Sequence, residues 1–154
     1  MLLTSFMANV VTKPFSTSLY TKNDDAKHLV IEWLDEQGYD AHVNPDKYGI
    51  DLLGIERKTG RKIQVEVEVK HNWSGEKFPF MTVHFPARKL KFVNPKSFFI
   101  MLNTERTHIL VVSGAQVCHS RTIKKSTVYT ATEDFMEVPI TRCFIYPLKE
   151  SHGE

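Results

Sequence analysis

The 154-residue sequence has little of what marks several large classes of protein. It contains only two cysteines, Cys118 and Cys143, far apart in the chain, which argues against a disulfide framework or a zinc knuckle and favours a reducing compartment. No apolar run approaches the roughly 18 residues that a membrane helix needs. The N-terminal residues lack the basic start of a signal peptide. We therefore expect a cytoplasmic protein with no membrane partner.

Sequence motifs for nucleotide and zinc chemistry are missing as well. The seven glycines form no phosphate-binding loop, which argues against an NTPase and a nucleotide cofactor. The seven histidines show no HExxH or HxH spacing, which argues against a catalytic zinc. With no internal repeat and no interdomain linker, residues 1–154 are predicted to be one domain. Residues 1–20 are interpreted as an N-terminal extension and residues 149–154 as a frayed tail.

Charge is unevenly distributed along the chain, although the formal net charge is only +2. Residues 1–76 carry a net charge of −3, residues 77–132 carry nine basic residues against one acid, and the tail from 133 carries −3. Near-neutrality is therefore the cancellation of acidic and basic segments. Such asymmetry favours a polyanionic partner.

Apolar spacing predicts one helix followed by short strands. The helix begins after Asn23-Asp24 and ends at Gly38. Strands are predicted at 39–43, 49–55, 62–70, 80–85, 98–102, 108–112 and 127–131, with a turn at 58–61, a basic loop or short helix at 86–93 and a helical turn at 114–118.

The strand at 62–70 carries the most informative pattern. From Ile63 to Lys70 apolar and polar residues alternate, so Glu66, Glu68 and Lys70 share one face, at intervals of about 7 Å. Asp51 interrupts an apolar stretch in the preceding predicted strand. If the two strands pair through the turn at 58–61, these charged groups converge at one place.

This arrangement resembles the PD-(D/E)XK nuclease superfamily, whose motif is an acid on one strand and (D/E)-x-K on the next. The match runs from about Asp24 to Trp73 and includes Gly-Ile-Asp at 49–51 and Glu-Val-Lys at 68–70, with Ile50 in place of the family's proline. The resemblance implies an α/β fold with a restriction-endonuclease-like core, in which a mixed central β-sheet is flanked by helices. It also implies that Asp51, Glu68 and the Val69 carbonyl bind metal and that Lys70 is the catalytic lysine.

The activity implied by this resemblance is Mg²⁺-dependent hydrolysis of DNA phosphodiester bonds by an endonuclease, with Mn²⁺ able to substitute. Carboxylates suit such hard cations, which activate water and offset phosphate charge. Lys70 would orient the water or stabilise the pentacovalent phosphate. Glu66 is an additional catalytic candidate that would contact a second metal or a metal-bound water.

The first helix departs from the family pattern. Many members place an acid on this helix near the site, whereas the corresponding face here carries Lys27, with Asp24, Asp25 and Glu32 nearby. The segment after Lys70 is similar to small phage-encoded nuclease-like proteins, for which the compartment would be the host cytoplasm.

Basic side chains are predicted to contact DNA phosphates around the acidic site. The predicted DNA-binding residues are the basic clusters Arg88, Lys89 and Lys91, and Arg121, Lys124 and Lys125, together with Trp73, for which a buried position is an equal alternative. Cutting both strands would need a homodimer, because one site handles one strand. A catalytically degenerate binding module, a Holliday junction resolvase-like nuclease and an RNA-directed nuclease remain alternatives.

Overall fold

The computed structural model describes residues 17–126 and 132–149, and side chains from residue 25 onward. The strand predicted at 127–131, most of the extension predicted at 1–20 and nearly all of the predicted frayed tail lie outside these ranges. No helix among the described residues is long and apolar enough to span a membrane.

Two α-helices, two 3₁₀ helices and nine strands make up the described chain. The helices are α1 (Thr17–Glu36) and α2 (Gly114–Cys118), with 3₁₀ helices at Ala87–Phe92 and Ile140–Arg142. The strands are β1 (Tyr39–Val43), β2 (Leu52–Glu56), β3 (Lys62–Val69), β4 (Thr82–Pro86), β5 (Ser97–Leu102), β6 (His108–Ser113), β7 (Arg121–Lys125), β8 (Glu133–Pro139) and β9 (Phe144–Pro147).

The strands form two sheets. The central sheet has the order β1-β2-β3-β5-β6-β9, and the second sheet has the order β4-β8-β7. β3 and β5 are parallel, whereas the other neighbouring strands in the described sheets are antiparallel. The predicted α/β class with a mixed central sheet and flanking helices is therefore confirmed.

Helix α1 covers one face of the central sheet. Its buried residues Ala26, Val30 and Leu34 belong to one apolar cluster with the inward side chains of β3, including Val65 and Val67. This packing explains the unbroken alternation of β3, since its apolar residues face α1 and its charged residues face the opposite side.

The second sheet covers the opposite face. Phe85 of β4 packs edge-to-face on Phe99 of β5, with ring centroids 5.2 Å apart. Met136 and Val138 of β8 belong to the same buried cluster. The polar side of β3 is thus enclosed between two sheets, which brings residues of β4 and β7 close to it.

Several element boundaries differ from the sequence predictions. α1 begins at Thr17, before the predicted cap, and β2 begins at Leu52 because residues 44–51 form a loop in which the Asn44 side chain bonds the Ile50 carbonyl at 2.9 Å. The strand predicted at 80–85 is β4, which belongs to the second sheet. β7, β8 and β9 were not predicted, because their polar and apolar residues do not alternate over a long enough run.

Candidate functional site

Asp51 is a buried carboxylate in the loop immediately before β2. Its Oδ2 accepts a hydrogen bond of 2.8 Å from the backbone N–H of Val67, and its own N–H donates to Glu66 Oε1 at 3.2 Å. The backbone ladder between β2 and β3 ends at Leu52, and the Asp51 side chain continues the contact between the strands. Asp51 is therefore fixed against the backbone of β3.

Lys27 of α1 forms an ion pair with Asp51. Its Nζ lies 3.5 Å from Asp51 Oδ1, and the two side chains are 15% and 3% exposed. The helix position where the resemblance implies an acid thus carries a lysine that neutralises Asp51. Asp25 and Glu32 are exposed, and the side chain of Asp24 lies outside the described part.

Glu66 forms a buried ion pair with Lys89 of the first 3₁₀ helix. Burial raises the pKa of Glu66 to about 7, and the negative charge of Asp51 acts in the same direction, whereas the Lys89 ammonium opposes the shift. Lys89 is itself 7% exposed, so it does not form part of the surface on which it was predicted to contact DNA. This corrects that prediction: the ammonium serves as the counterion of Glu66.

Glu68 and Lys70 lie at the end of β3 and are partly exposed. Lys70 Nζ is 3.5 Å from Glu68 Oε2 and donates to the backbone carbonyl of His84 at 3.1 Å. Glu66 and Glu68 line the same narrow cavity. Its other lining residues are Phe85, Lys89, Phe99, Ile100 and Met101. β3 thus presents a buried acid followed by a more accessible acid and lysine.

The donor chemistry of Asp51 and Glu68 fits a divalent cation. Their carboxylate oxygens are the hard donors that Mg²⁺ and Mn²⁺ prefer. Lys27 Nζ lies 3.5 Å from Asp51 Oδ1, and Lys70 Nζ lies 3.5 Å from Glu68 Oε2. Both distances are longer than a hydrogen bond, but each carboxylate already has a lysine ammonium group as its counterion. Among residues 17–126 and 132–149, no three His, Cys, Asp or Glu side chains gather closely enough to bind a metal. The predicted ligands therefore amount to two carboxylates and the carbonyl of Val69.

Most basic residues predicted to contact DNA have an acidic partner within the protein. Arg88 pairs with Glu133, Arg121 Nη2 lies 2.6 Å from Glu137 Oε1, and Lys124 Nζ lies 2.8 Å from Asp134 Oδ1. These acids lie on β8, beside β4 and β7. The acidic tail thus partly neutralises the basic middle segment, which reduces the positive surface that the charge distribution predicted.

Trp73 adopts the buried position, which was one of its two predicted alternatives, and not the DNA-contacting one. It is fully buried, packs edge-to-face on Phe78 with centroids 5.4 Å apart, and accepts hydrogen bonds from Thr104 through its backbone carbonyl. Its ring therefore belongs to the core and is not available to stack on a base.

His84 and Glu137 lie near Lys70 and were not predicted from the sequence as site residues. His84 Nε2 lies 3.0 Å from Glu137 Oε2, and His84 Nδ1 lies 2.8 Å from Lys125 Nζ. His84 and Glu137 are direct cross-strand neighbours on β4 and β8. The one available signal was the alternation of Thr82, Val83, His84 and Phe85, which places His84 on a polar face without indicating its partner.

The fold is that of an α/β protein with a mixed central sheet. Three acid–lysine pairs lie on and around its third strand: Asp51 with Lys27, Glu66 with Lys89, and Glu68 with Lys70. No family model matches the sequence, and no curated protein matches it either. A solved structure similar to this chain is Hjc, a Holliday junction resolvase from the archaeal hyperthermophile Archaeoglobus fulgidus. The similarity covers 77% of this chain and 84% of that chain, with 9% sequence identity and a TM-score of 0.48.

Proposed function

We propose that this protein is a Mg²⁺-dependent endonuclease that hydrolyses DNA phosphodiester bonds. The observation that supports it is the pairing of β2 with β3, which sets the Asp51 carboxylate against β3 beside Glu66, two residues before Glu68 and four before Lys70. An acid followed on the next strand by an acid and a lysine is the motif of the PD-(D/E)XK nucleases that the sequence resembles, and its carboxylates suit a metal that assists phosphodiester hydrolysis.

Each residue of this constellation has a separate task. Asp51 and Glu68 would hold Mg²⁺, which when bound supplies an activated water and offsets charge on the phosphate. The hydrogen bond from Val67 keeps Asp51 in place before the substrate arrives. Lys70, held at the His84 carbonyl, presents an ammonium group to the attacking water or to a phosphate oxygen.

We propose DNA as the substrate and a homodimer as the working form. A single site handles one strand, so cutting a duplex across both strands needs two sites related by symmetry. Neither part of this proposal requires a nucleotide cofactor.

Cleavage of several DNA forms tests the proposal. Supercoiled, linear, single-stranded and branched DNA would be incubated with Mg²⁺ or with EDTA, beside an RNA duplex of the same sequence. We expect cleavage with Mg²⁺ and none with EDTA. We expect Glu68→Gln and Lys70→Met each to lower the rate by at least about 100-fold, because each removes a group that acts on the transition state.

Matched controls come from the same strands. Lys62→Met changes a lysine at the opposite, exposed end of β3, and Glu56→Gln changes a carboxylate at the far end of β2. Both should cleave at the wild-type rate. An RNA-only product, or equal losses in the controls and the site variants, would contradict the proposal.

A binding module without catalysis is the second candidate, and one observation favours it. Each of the three site carboxylates already faces a lysine: Asp51 faces Lys27, Glu66 faces Lys89 and Glu68 faces Lys70. Such pairing neutralises the cluster without metal. Duplex binding by the wild type, with no cleavage of any DNA in Mg²⁺ or Mn²⁺ and equal binding by Glu68→Gln, would establish this function.

A further inference from the structure

His84 joins two lysines that come from different sheets. Lys70 of the β3 segment donates to the His84 backbone carbonyl at 3.1 Å, and Lys125 of β7 donates to His84 Nδ1 at 2.8 Å. Both ammonium groups are therefore brought to one residue at the edge of the candidate site. Glu68 lies 3.5 Å from the first of them.

Glu137 and Thr82 fix the imidazole of His84. An ammonium group has no acceptor, so Nδ1 must accept from Lys125 and the ring proton lies on Nε2. Nε2 then donates to Glu137 Oε2 at 3.0 Å, and the Thr82 hydroxyl donates to the same oxygen at 3.2 Å. The Glu137–His84 pair thus orients the ring whose other nitrogen holds Lys125.

Lys125 lies close enough to Lys70 for the two ammonium charges to repel each other. Partial burial lowers the pKa of Lys125, and the nearby charge of Lys70 lowers it further, whereas Glu68 is the first of the acids that oppose these effects. Lys125 Nζ also lies 4.6 Å from the centroid of the Phe135 ring, which favours its position over that face. Lys70 and Lys125 thus share Glu68 as a neighbouring carboxylate, and an anion with several oxygens would satisfy both ammonium groups.

We propose that Lys125, positioned by His84 and Glu137, binds the same phosphate group as Lys70, so that the two sheets together form a phosphate site. The ligand class is a phosphodiester or a free phosphate. The assignment of that phosphate as the one that is cleaved rests on the proposed nuclease function, whereas the anion site itself rests on the contacts of His84.

A phosphate titration tests the site without any cleavage. The probe is inorganic phosphate added to metal-free protein labelled with ¹⁵N at histidine, and the signal is the ring nitrogens of His84. We expect phosphate to shift them in the wild type, since Lys125 then shares its hydrogen bond with the anion. Lys125→Met should weaken the response about tenfold, the effect of losing one charged hydrogen bond, and Lys125→Arg should restore most of it.

Duplex DNA provides the second measurement. In EDTA, Lys125→Met should weaken binding and lower the slope of log affinity against log salt by about one, as expected for one lost phosphate contact. Lys62→Met and His42→Ala are the matched controls, because both residues are exposed on strands of the central sheet, whereas His84 lies in the second sheet. His84→Ala should resemble Lys125→Met, which a role of His84 in packing alone would not produce.

The outcomes separate this inference from the proposed function. If Lys125→Met binds phosphate and DNA as the wild type does, the phosphate site is wrong, even where the protein cleaves DNA. If the wild type cleaves no nucleic acid but the phosphate response depends on Lys125, the anion site stands and the nuclease function fails. A thermal unfolding curve for each variant identifies loss of the fold, and Lys125→Arg then decides the result.

Discussion

Glu66 is a carboxylate buried in the interior, and its ionisation depends on that burial. Its carboxylate and the Lys89 ammonium are both buried, and removal of both groups from water costs several kcal/mol that their attraction only partly offsets. The pair is therefore a weak source of stability. The pair matters more for the position of Asp51, because Glu66 Oε1 also accepts a hydrogen bond from the Asp51 N–H.

The raised pKa of Glu66 predicts a pH dependence of stability. The pKa rises from 4.5 in the unfolded chain to about 7 in the fold, so the folded state binds more protons between these values. The stabilisation that the fold gains from holding Glu66 protonated is present in full below pH 4.5. It is lost as pH rises through about 7. We expect urea titrations to show that wild type loses about 1–3 kcal/mol relative to Glu66→Gln across this window.

Lys89→Met is the matched control for this measurement. The ammonium lowers the pKa of Glu66, so its removal should move the upper end of the window to higher pH. If Glu66→Gln alone does not fold, the double variant Glu66→Gln/Lys89→Met removes both charges and serves as the reference. Identical pH dependence in wild type and reference would contradict the assignment.

At the scale of elements, the sequence predicted those whose pattern is set by one packed face. β3 alternates because α1 covers its apolar side, and the β5–β6 hairpin has a continuous apolar core. β7 is a polar edge strand, so its place depends on pairing with β8 and not on its own pattern. The strand propensity of a segment does not predict which distant strand it pairs with.

The candidate site divides in the same way. Asp51, Glu68 and Lys70 could be predicted because strand spacing and a two-strand pairing place them. Lys89 and His84 could not be assigned their partners, because they reach β3 from elements beyond its own hairpin. Charge alone placed Lys89 on the surface, whereas a buried acid across the fold determines where its ammonium lies.

Trp73 anchors the irregular segment between β3 and β4, and its burial is testable. In a Trp33→Phe background, Trp73 fluorescence should resist quenching by iodide and should not change when duplex DNA is added. Trp73→Ala should lower the free energy of unfolding by about 3–5 kcal/mol, as expected for truncation of a buried aromatic side chain. Quenching by DNA at constant protein fold would place the ring at the surface and contradict the structure.

At the scale of the whole molecule, the edge of the central sheet is apolar. Phe144 and Tyr146 of β9 are 63% and 41% exposed, and their rings stack with centroids 6.5 Å apart. A sheet edge with exposed aromatic side chains is prone to pair with another chain. We therefore expect the proposed homodimer to depend on β9.

Sedimentation velocity at several concentrations measures this dimer. Phe144→Glu should weaken self-association at least about tenfold, because it places a charge on the edge strand. Met81→Glu is the control, since Met81 is 81% exposed but lies before β4, outside the central sheet. A monomer at every concentration, or equal effects of the two substitutions, would exclude β9 as the interface.

The order of strands along the chain has a consequence for how the molecule unfolds. β4 belongs to the second sheet but precedes β5 and β6 of the central sheet, and β7 and β8 then return to the second sheet before β9 completes the first. Neither sheet corresponds to a continuous piece of chain, so no proteolytic fragment can contain one whole sheet without strands of the other. The two sheets should therefore melt in a single cooperative transition, and with them the site between them is either complete or absent.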